Sequence, residues 1–379
     1  MKRLDPKIRK MIESLYEEIK KENHENDFRE LEKKTAELRD YVNRKMLSGT
    51  KKGETGRLTG DNREDAIYPI GELVNDSIRR LESRARGKEG GFFIGTGIEQ
   101  MDRIIGGFEP GEVVVIGARP SMGKTALMIS MMNSITQKSN HAIGFISLEL
   151  PTHQLIGRII ASEAEIFSPK MRSNHLDEED WNRIIDSTGN IRRRKIYIVD
   201  NPQGSVGNIR NVAERLARDY GISILFIDYL QLIVPFSKKR TRQQETASIM
   251  KEIKMLAREL RLVVIIASQL NRMAELRSGN KRPCLSDLKN SGSIEEDADK
   301  VIFIHRPEVY EIYEDERGNS LLGKAELIIA KNRTGPTGEV RLNFNREYGK
   351  FHDAEEESAA DRDIETRYRE EEGLGDLPF

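Results

Sequence analysis

Between residues 112 and 135 a β-branched run, Glu112–Gly117, passes through Ala118-Arg119-Pro120-Ser121-Met122-Gly123-Lys124-Thr125-Ala126 into a helical stretch, Leu127–Ile135. Strand, glycine-containing loop and helix, in that order, are the setting of a phosphate-binding loop. The backbone N–H groups of such a loop and the N-terminus of its helix converge positive dipoles on a phosphate. Residues 118–126 are therefore the candidate ATP cradle. Lys124 is expected at the β- and γ-phosphates, with the Thr125 hydroxyl on Mg²⁺. A strict pattern wants glycine where this chain has Ala118; Gly117 stands one residue too early.

A phosphate loop needs an acid on a neighbouring strand to hold the metal. The apolar run Ile224–Ile227 ends in Asp228, the candidate second metal ligand beside Thr125. The run Ile143–Leu148 ends in Glu149, placed to orient and deprotonate an attacking water. The run Val263–Ala267 ends in Ser268-Gln269, where a neutral side chain can sense a γ-phosphate. Three polar residues, each closing a separate apolar strand, fit an open α/β sheet, in which ligands sit at the carboxyl ends of the strands.

Further strand candidates are Lys195–Val199, Val301–Ile304, Ala325–Ala330 and Glu339–Phe344, making eight with Val113–Gly117. The earlier runs are nearly continuous, as strands covered on both faces should be. The expected fold is α/β with a mainly parallel central sheet, and the last pair, straddling Asn332–Thr337, reads as a hairpin.

Upstream, residues 1–48 place two apolar stripes at helical spacing, Ile8-Met11-Ile12-Leu15-Ile19 and Phe28-Leu31-Leu38-Val42-Met46, and read as a small helical hairpin. Residues 49–66, rich in Gly, Thr, Lys and Asp, read as a flexible linker. A helix is expected at Pro69–Arg84 within 67–88, followed by a main domain over 89–352. From Asp353 to Phe379 eleven acids face three arginines, so this acidic tail carries about −8 of a formal net charge of −1. Its composition predicts disorder. The remaining body is mildly basic and compatible with a polyanion partner. Cys284 is the only cysteine, which excludes an intrachain disulfide and points to a reducing compartment. No apolar run approaches a membrane span, so the expected location is the cytoplasm, that of the host if the chain is phage-encoded.

These segments together resemble the replicative DNA helicases of the DnaB family. The carrying residues are Ala118–Ala126, Ser147-Leu148-Glu149, Ile227–Leu232 (IDYLQL), Gln243–Leu260, Ala267–Arg272 (ASQLNR), Ser286–Asp299 (SDLKNSGSIEEDAD) and Lys331–Gly338 (KNRTGPTG). They run in family order over about residues 67–352, and the family shares the alanine at 118. The resemblance implies a RecA-like P-loop NTPase that assembles as a homohexameric ring with ATP between subunits. It implies that Lys124, Thr125, Glu149, Asp228 and Gln269 act within one subunit, while Lys331 and Arg333 reach the neighbour's γ-phosphate. On composition alone those two cations are ordinary exposed charges of a hairpin. The helix in 67–88 matches the family's linker helix, which docks on the adjacent subunit.

For DNA, the basic segment Ser237–Arg242, with Arg240 and Arg242, and a second loop, Lys289-Asn290-Ser291-Gly292, are the candidate contacts. Lys289, Asn290 and Gly292 are expected on the phosphate backbone, with little sequence specificity. The implied activity is ATP-driven movement on single-stranded DNA, 5′ to 3′, with unwinding at replication forks. Primase, a helicase loader and a single-stranded DNA-binding protein are the candidate partners. The family's N-terminal collar has only about 66 residues available here. Two other readings share the core: a RecA-like recombination or repair ATPase, and a KaiC-like assembly ATPase.

Overall fold

The computed structural model describes residues 93–354, except 174, 201–203, 237–240, 273, 274, 276 and 278–280, together with positions 70, 71, 74, 77 and 78. The expected hairpin at 1–48, the linker at 49–66, Arg240 and the tail beyond 354 lie outside the described residues. The five positions from 70 to 78 have helical backbone and leave Ile70, Val74 and Ile78 exposed.

Among the described residues nine strands form one sheet: β1 (Val113–Ala118), β2 (Ile143–Ser147), β3 (Ile196–Val199), β4 (Ile224–Asp228), β5 (Val263–Gln269), β6 (Lys300–His305), β7 (Lys324–Asn332), β8 (Gly338–Asn345) and β9 (Lys350–Asp353). Their order is β3-β2-β4-β5-β1-β6-β7-β8-β9. Strands β3 through β6 in that order pair in parallel. From β6 onward the pairing is antiparallel. The expected mainly parallel sheet is what forms, with β9 as a strand the sequence reading did not contain.

Every residue of β1, β2, β4 and β6 is buried. That follows from helices on both faces. On one side α1 (Glu99–Ile105), α2 (Lys124–Lys138) and α3 (Thr152–Ala164) cover Val114, Ile116, Phe145 and Phe226. On the other, α6 (Val206–Tyr220) and α7 (Arg242–Leu260) cover Val113, Val115, Ile227 and Ile266. Between α3 and α6 the chain also forms α4 (Ser168–Arg172) and α5 (Glu178–Ile191). Phe145 and Phe226 stack at 5.8 Å across β2 and β4, and truncating such a buried ring to alanine costs about 3–5 kcal/mol. The caps are local: Ser205 accepts the Asn208 N–H at the start of α6, and Gly221 closes it in the left-handed conformation.

One expected loop is not a loop. Leu285–Ser291 winds as a 3₁₀ helix and Gly292 opens α8 (Gly292–Asp297), so Lys289, Asn290 and Gly292 lie on continuous helical backbone. No helix among the described residues is long and apolar enough to cross a membrane.

Candidate functional site

The loop 119–123 leaves the buried centre of the sheet, where Ala118 pairs with Gln269 of β5. Ser121 at φ 65° and Gly123 at φ 99° are left-handed, the backbone alternation that gathers successive N–H groups into an anion nest. A side chain at Gly123 would meet the ring of Phe351 in β9 at 3.1 Å, so both φ and space demand glycine there. Gly117, which stood in the wrong place for a phosphate contact, has a packing role: a Cβ there would lie 2.7 Å from the Phe303 ring. Pro120 is exposed, Met122 is buried, and Ala126 packs against the core as α2 begins.

Lys124 points its ammonium back at the loop, donating to the carbonyls of Ala118 at 3.3 Å and Arg119 at 3.4 Å. Burial lowers its pKa, opposed by the charges of Asp228 and Glu149. Thr125 donates its hydroxyl to Asp228 Oδ2 at 2.6 Å. Asp228 is fully buried, and burial pushes its carboxyl upward. Its Oδ1 is buried with no hydrogen-bond partner. A hydroxyl on one oxygen and an unsatisfied second oxygen make a pair into which a hard cation such as Mg²⁺ fits.

Glu149 is exposed two residues past β2, and its charge acts on both Lys124 and Asp228. The strand ends are tied together here, since the Leu148 N–H donates to Asp228 O at 2.7 Å. Gln269 is the exposed last residue of β5. Its N–H donates to Gln231 Oε1 at 3.1 Å, while Gln231 Nε2 donates to Ser268 Oγ at 3.0 Å and Gln269 O at 3.2 Å. Gln231, the glutamine of IDYLQL, thus clamps the exit of β5. The sequence reading quoted that motif without giving Gln231 a role. Arg242, a candidate DNA contact at the start of α7, donates to the Gln231 carbonyl and to Glu245 at 3.2 Å. Gln269, Gln231, Arg242 and Arg272 share one groove of about 310 Å³.

Arg119 departs from its expected place at the phosphates. Its guanidinium is buried, donating to Leu270 O at 2.7 Å and pairing with Glu275 at 2.7 Å. It braces the loop against the segment after β5. A second brace went unnoticed in sequence: Arg306, over the Phe344 ring at 3.9 Å, donates to Ser121 O at 3.3 Å.

The hairpin cations are brought to the same sheet but not to the phosphate loop. Lys331 donates to carbonyls at the end of α8, those of Glu295 and, at 2.8 Å, Ala298. Arg333 donates to Glu296 O and lies 3.7 Å from Asp299. The expected free cationic tip is folded back on its own subunit, because a helix C-terminus with unsatisfied carbonyls lies within reach. Asp299, which also accepts from Lys254 and from the Val113 N–H at 2.7 Å, anchors that corner.

The model of the DnaB-like helicase C-terminal domain matches residues 93–353. The Bacillus subtilis (strain 168) replicative DNA helicase DnaC is 40% identical over 277 residues, 73% of this chain and 59% of that protein. The Geobacillus stearothermophilus replicative DNA helicase DnaB is 36% identical over 315 residues, 83% and 66% respectively. The chain thus spans less than two thirds of either relative. Among solved structures, a free-standing ATPase domain superposes with a TM-score of 0.69 at 33% identity, covering 76% of this chain and 100% of that one. A DnaB-like replicative helicase studied with its interactions with primase gives 0.66 at 33% identity, covering 76% and 72%. These likenesses identify the sheet as the RecA-like ATPase fold.

Proposed function

The chain belongs to the DnaB-like helicase family, and from that premise we propose that it is an ATP-dependent DNA helicase working as a homohexameric ring. It hydrolyses ATP with Mg²⁺, moves 5′ to 3′ on single-stranded DNA and opens duplex at replication forks. The observation that carries the reading is the buried Thr125–Asp228 pair at 2.6 Å, with Lys124 beside it, at the carboxyl end of a parallel sheet.

In this reading residues 118–126 cradle the phosphates and Lys124 neutralises their charge. Thr125 and Asp228 hold the magnesium, which supplies charge stabilisation to the transferring phosphoryl group. Glu149 orients a water and accepts its proton; its exposed place beside Lys124 and Asp228 supports that role. Gln269, held by Gln231, reports the γ-phosphate state to the groove it shares with Arg242. Arg240, Arg242, Lys289, Asn290 and Gly292 follow the DNA backbone from the channel side. Lys331 and Arg333 leave α8 to complete the neighbour's site, so turnover depends on assembly. The exposed Ile70, Val74 and Ile78 support a linker helix, within 67–88, that docks on an adjacent subunit. A helical hairpin over 1–48, a linker over 49–66, the motor over 89–352 and an acidic tail complete the layout. Primase, a loader and a single-stranded DNA-binding protein are the partners of this reading.

Native mass spectrometry paired with unwinding of forked duplexes tests it. A hexamer that unwinds only forks bearing a 5′ tail is expected. Open filaments on DNA would mark a recombination ATPase, and hydrolysis indifferent to DNA an assembly ATPase.

A further inference from the structure

At the sheet end opposite the phosphate loop, the C-terminal ends of α2 and α5 and the start of β3 enclose a groove of about 280 Å³, lined by Ser139, Asn140, Arg193, Arg194 and Lys195. It belongs to none of the machinery described above. Arg194 is satisfied by Glu163. Arg192, Arg193 and Lys195 are exposed, and among the described residues none of the three pairs with a carboxylate. Arg192, at the C-cap of α5, complements that helix's negative end. Arg193 and Lys195 exceed that need and face the groove.

The chain's own acids begin beside it. Asp353 accepts the Glu99 N–H at 3.1 Å and the Gln100 N–H at 3.3 Å, and Ala354 O accepts from Gln100 Nε2 at 2.9 Å. Glu99 in turn pairs with Lys138 at 2.8 Å. Lys138 immediately precedes Ser139 and Asn140 of the groove wall. The last described residue is therefore fastened next to the groove. Glu355-Glu356-Glu357 follow at once, and residues 355–379 hold ten carboxylate side chains against three arginines. An extended chain covers about 3.4 Å per residue, so reach is not limiting.

We propose that this basic groove is the docking site of the acidic tail, residues 355–379 of the same chain. Its first glutamates meet Arg192, Arg193 and Lys195, and the occupied groove is closed to other polyanions. The contact is electrostatic and partly exposed, so salt weakens it.

Carbodiimide cross-linking of the full-length protein, an equal mixture of ¹⁵N-labelled and unlabelled copies, tests the proposal through peptide mapping. Expected are links from Lys195 to Glu355, Glu356 or Glu357 within single copies, reduced about tenfold by 1 M salt, where the screening length is about 3 Å. The double substitution R192E and R193E, which spares the Lys195 reporter, should reduce the links similarly; if that variant does not fold, R193Q serves with a smaller loss. Links of Lys195 only between copies, or links insensitive to both salt and substitution, overturn the proposal. So does a groove variant that loses cross-linking to single-stranded DNA while its Lys195–tail links persist, because the groove would then take nucleic acid.

Discussion

In the parallel half of the sheet, Lys124 and Asp228 are buried, held by the loop carbonyls and by Thr125, and already face one another across the site. In the antiparallel half, Lys331 and Arg333 are partly or fully exposed, and their charge rests on the last carbonyls of α8. The first arrangement is pre-organised by a core that cannot rearrange without loss of packing. The second is held by a few hydrogen bonds at the surface, each worth only about 0.5–1.5 kcal/mol net. What must be rigid for chemistry is buried, and what must change partner on assembly is held loosely at the rim.

The largest test of this contrast is Arg333→Ala. Turnover of ATP should fall by about 10³–10⁵-fold, the range of a charge supplied in trans. Nucleotide affinity, followed by fluorescent-analogue titration, should stay within about threefold on the same premise. Loss of binding would put Arg333 in its own subunit's site and end the contrast. Next comes Asp228→Asn, expected to cut hydrolysis by about 10²–10³-fold, as when one charge-stabilising group is removed. Because burial raises the carboxyl's folded pKa, stability is present below its unfolded value and lost as pH rises through the folded one. The neutral amide should therefore raise the melting temperature at neutral pH. A fall would show that the charge itself anchors the core.

His305 ends β6, the strand where the parallel and antiparallel halves meet. Burial, with Arg282 adding to it, lowers its pKa from 6.5 to about 4. A depressed value means stability that is full above pH 6.5 and is lost as pH falls through about 4, on the order of 3 kcal/mol. Urea unfolding across that window should show the loss, and His305→Gln should flatten it. A wild-type profile already flat would mean that His305 is not buried neutral at this seam. The smallest effect is expected for Gln231→Ala. Removing the clamp on β5 should lower DNA-stimulated turnover about tenfold, roughly 1.4 kcal/mol, with the melting curve nearly unchanged. Unaltered turnover would separate Gln269 from the groove it shares with Arg242.

The parallel strands were legible because β-branched runs covered on both faces have few alternatives. The phosphate loop was legible because glycine, lysine and threonine stood between a strand and a helix. The strand β9 was not: Lys350–Asp353 is short, mixed in polarity, and paired by contacts with β8 rather than by its own pattern. The helical backbone at Leu285–Ser291 was masked by serine, asparagine and glycine, residues common in loops. Arg119 was read with its neighbours in sequence, whereas its partner Glu275 stands 156 positions away. The turn-back of Lys331 and Arg333 likewise depends on a helix end that no spacing in the hairpin announces.

Phe351 has one further consequence. Its ring fills the space beside Gly123, and its N–H donates to Ser130 Oγ at 2.9 Å across 221 positions of sequence. The loop that grips phosphate is synthesised early, but one of its walls arrives among the last described residues. At translation speeds of about 5–20 residues per second, roughly 10–45 s separate the two. A nascent chain would spend that interval with its nucleotide cradle open on one side, and stalling before residue 351 would release a motor that cannot seat its fuel.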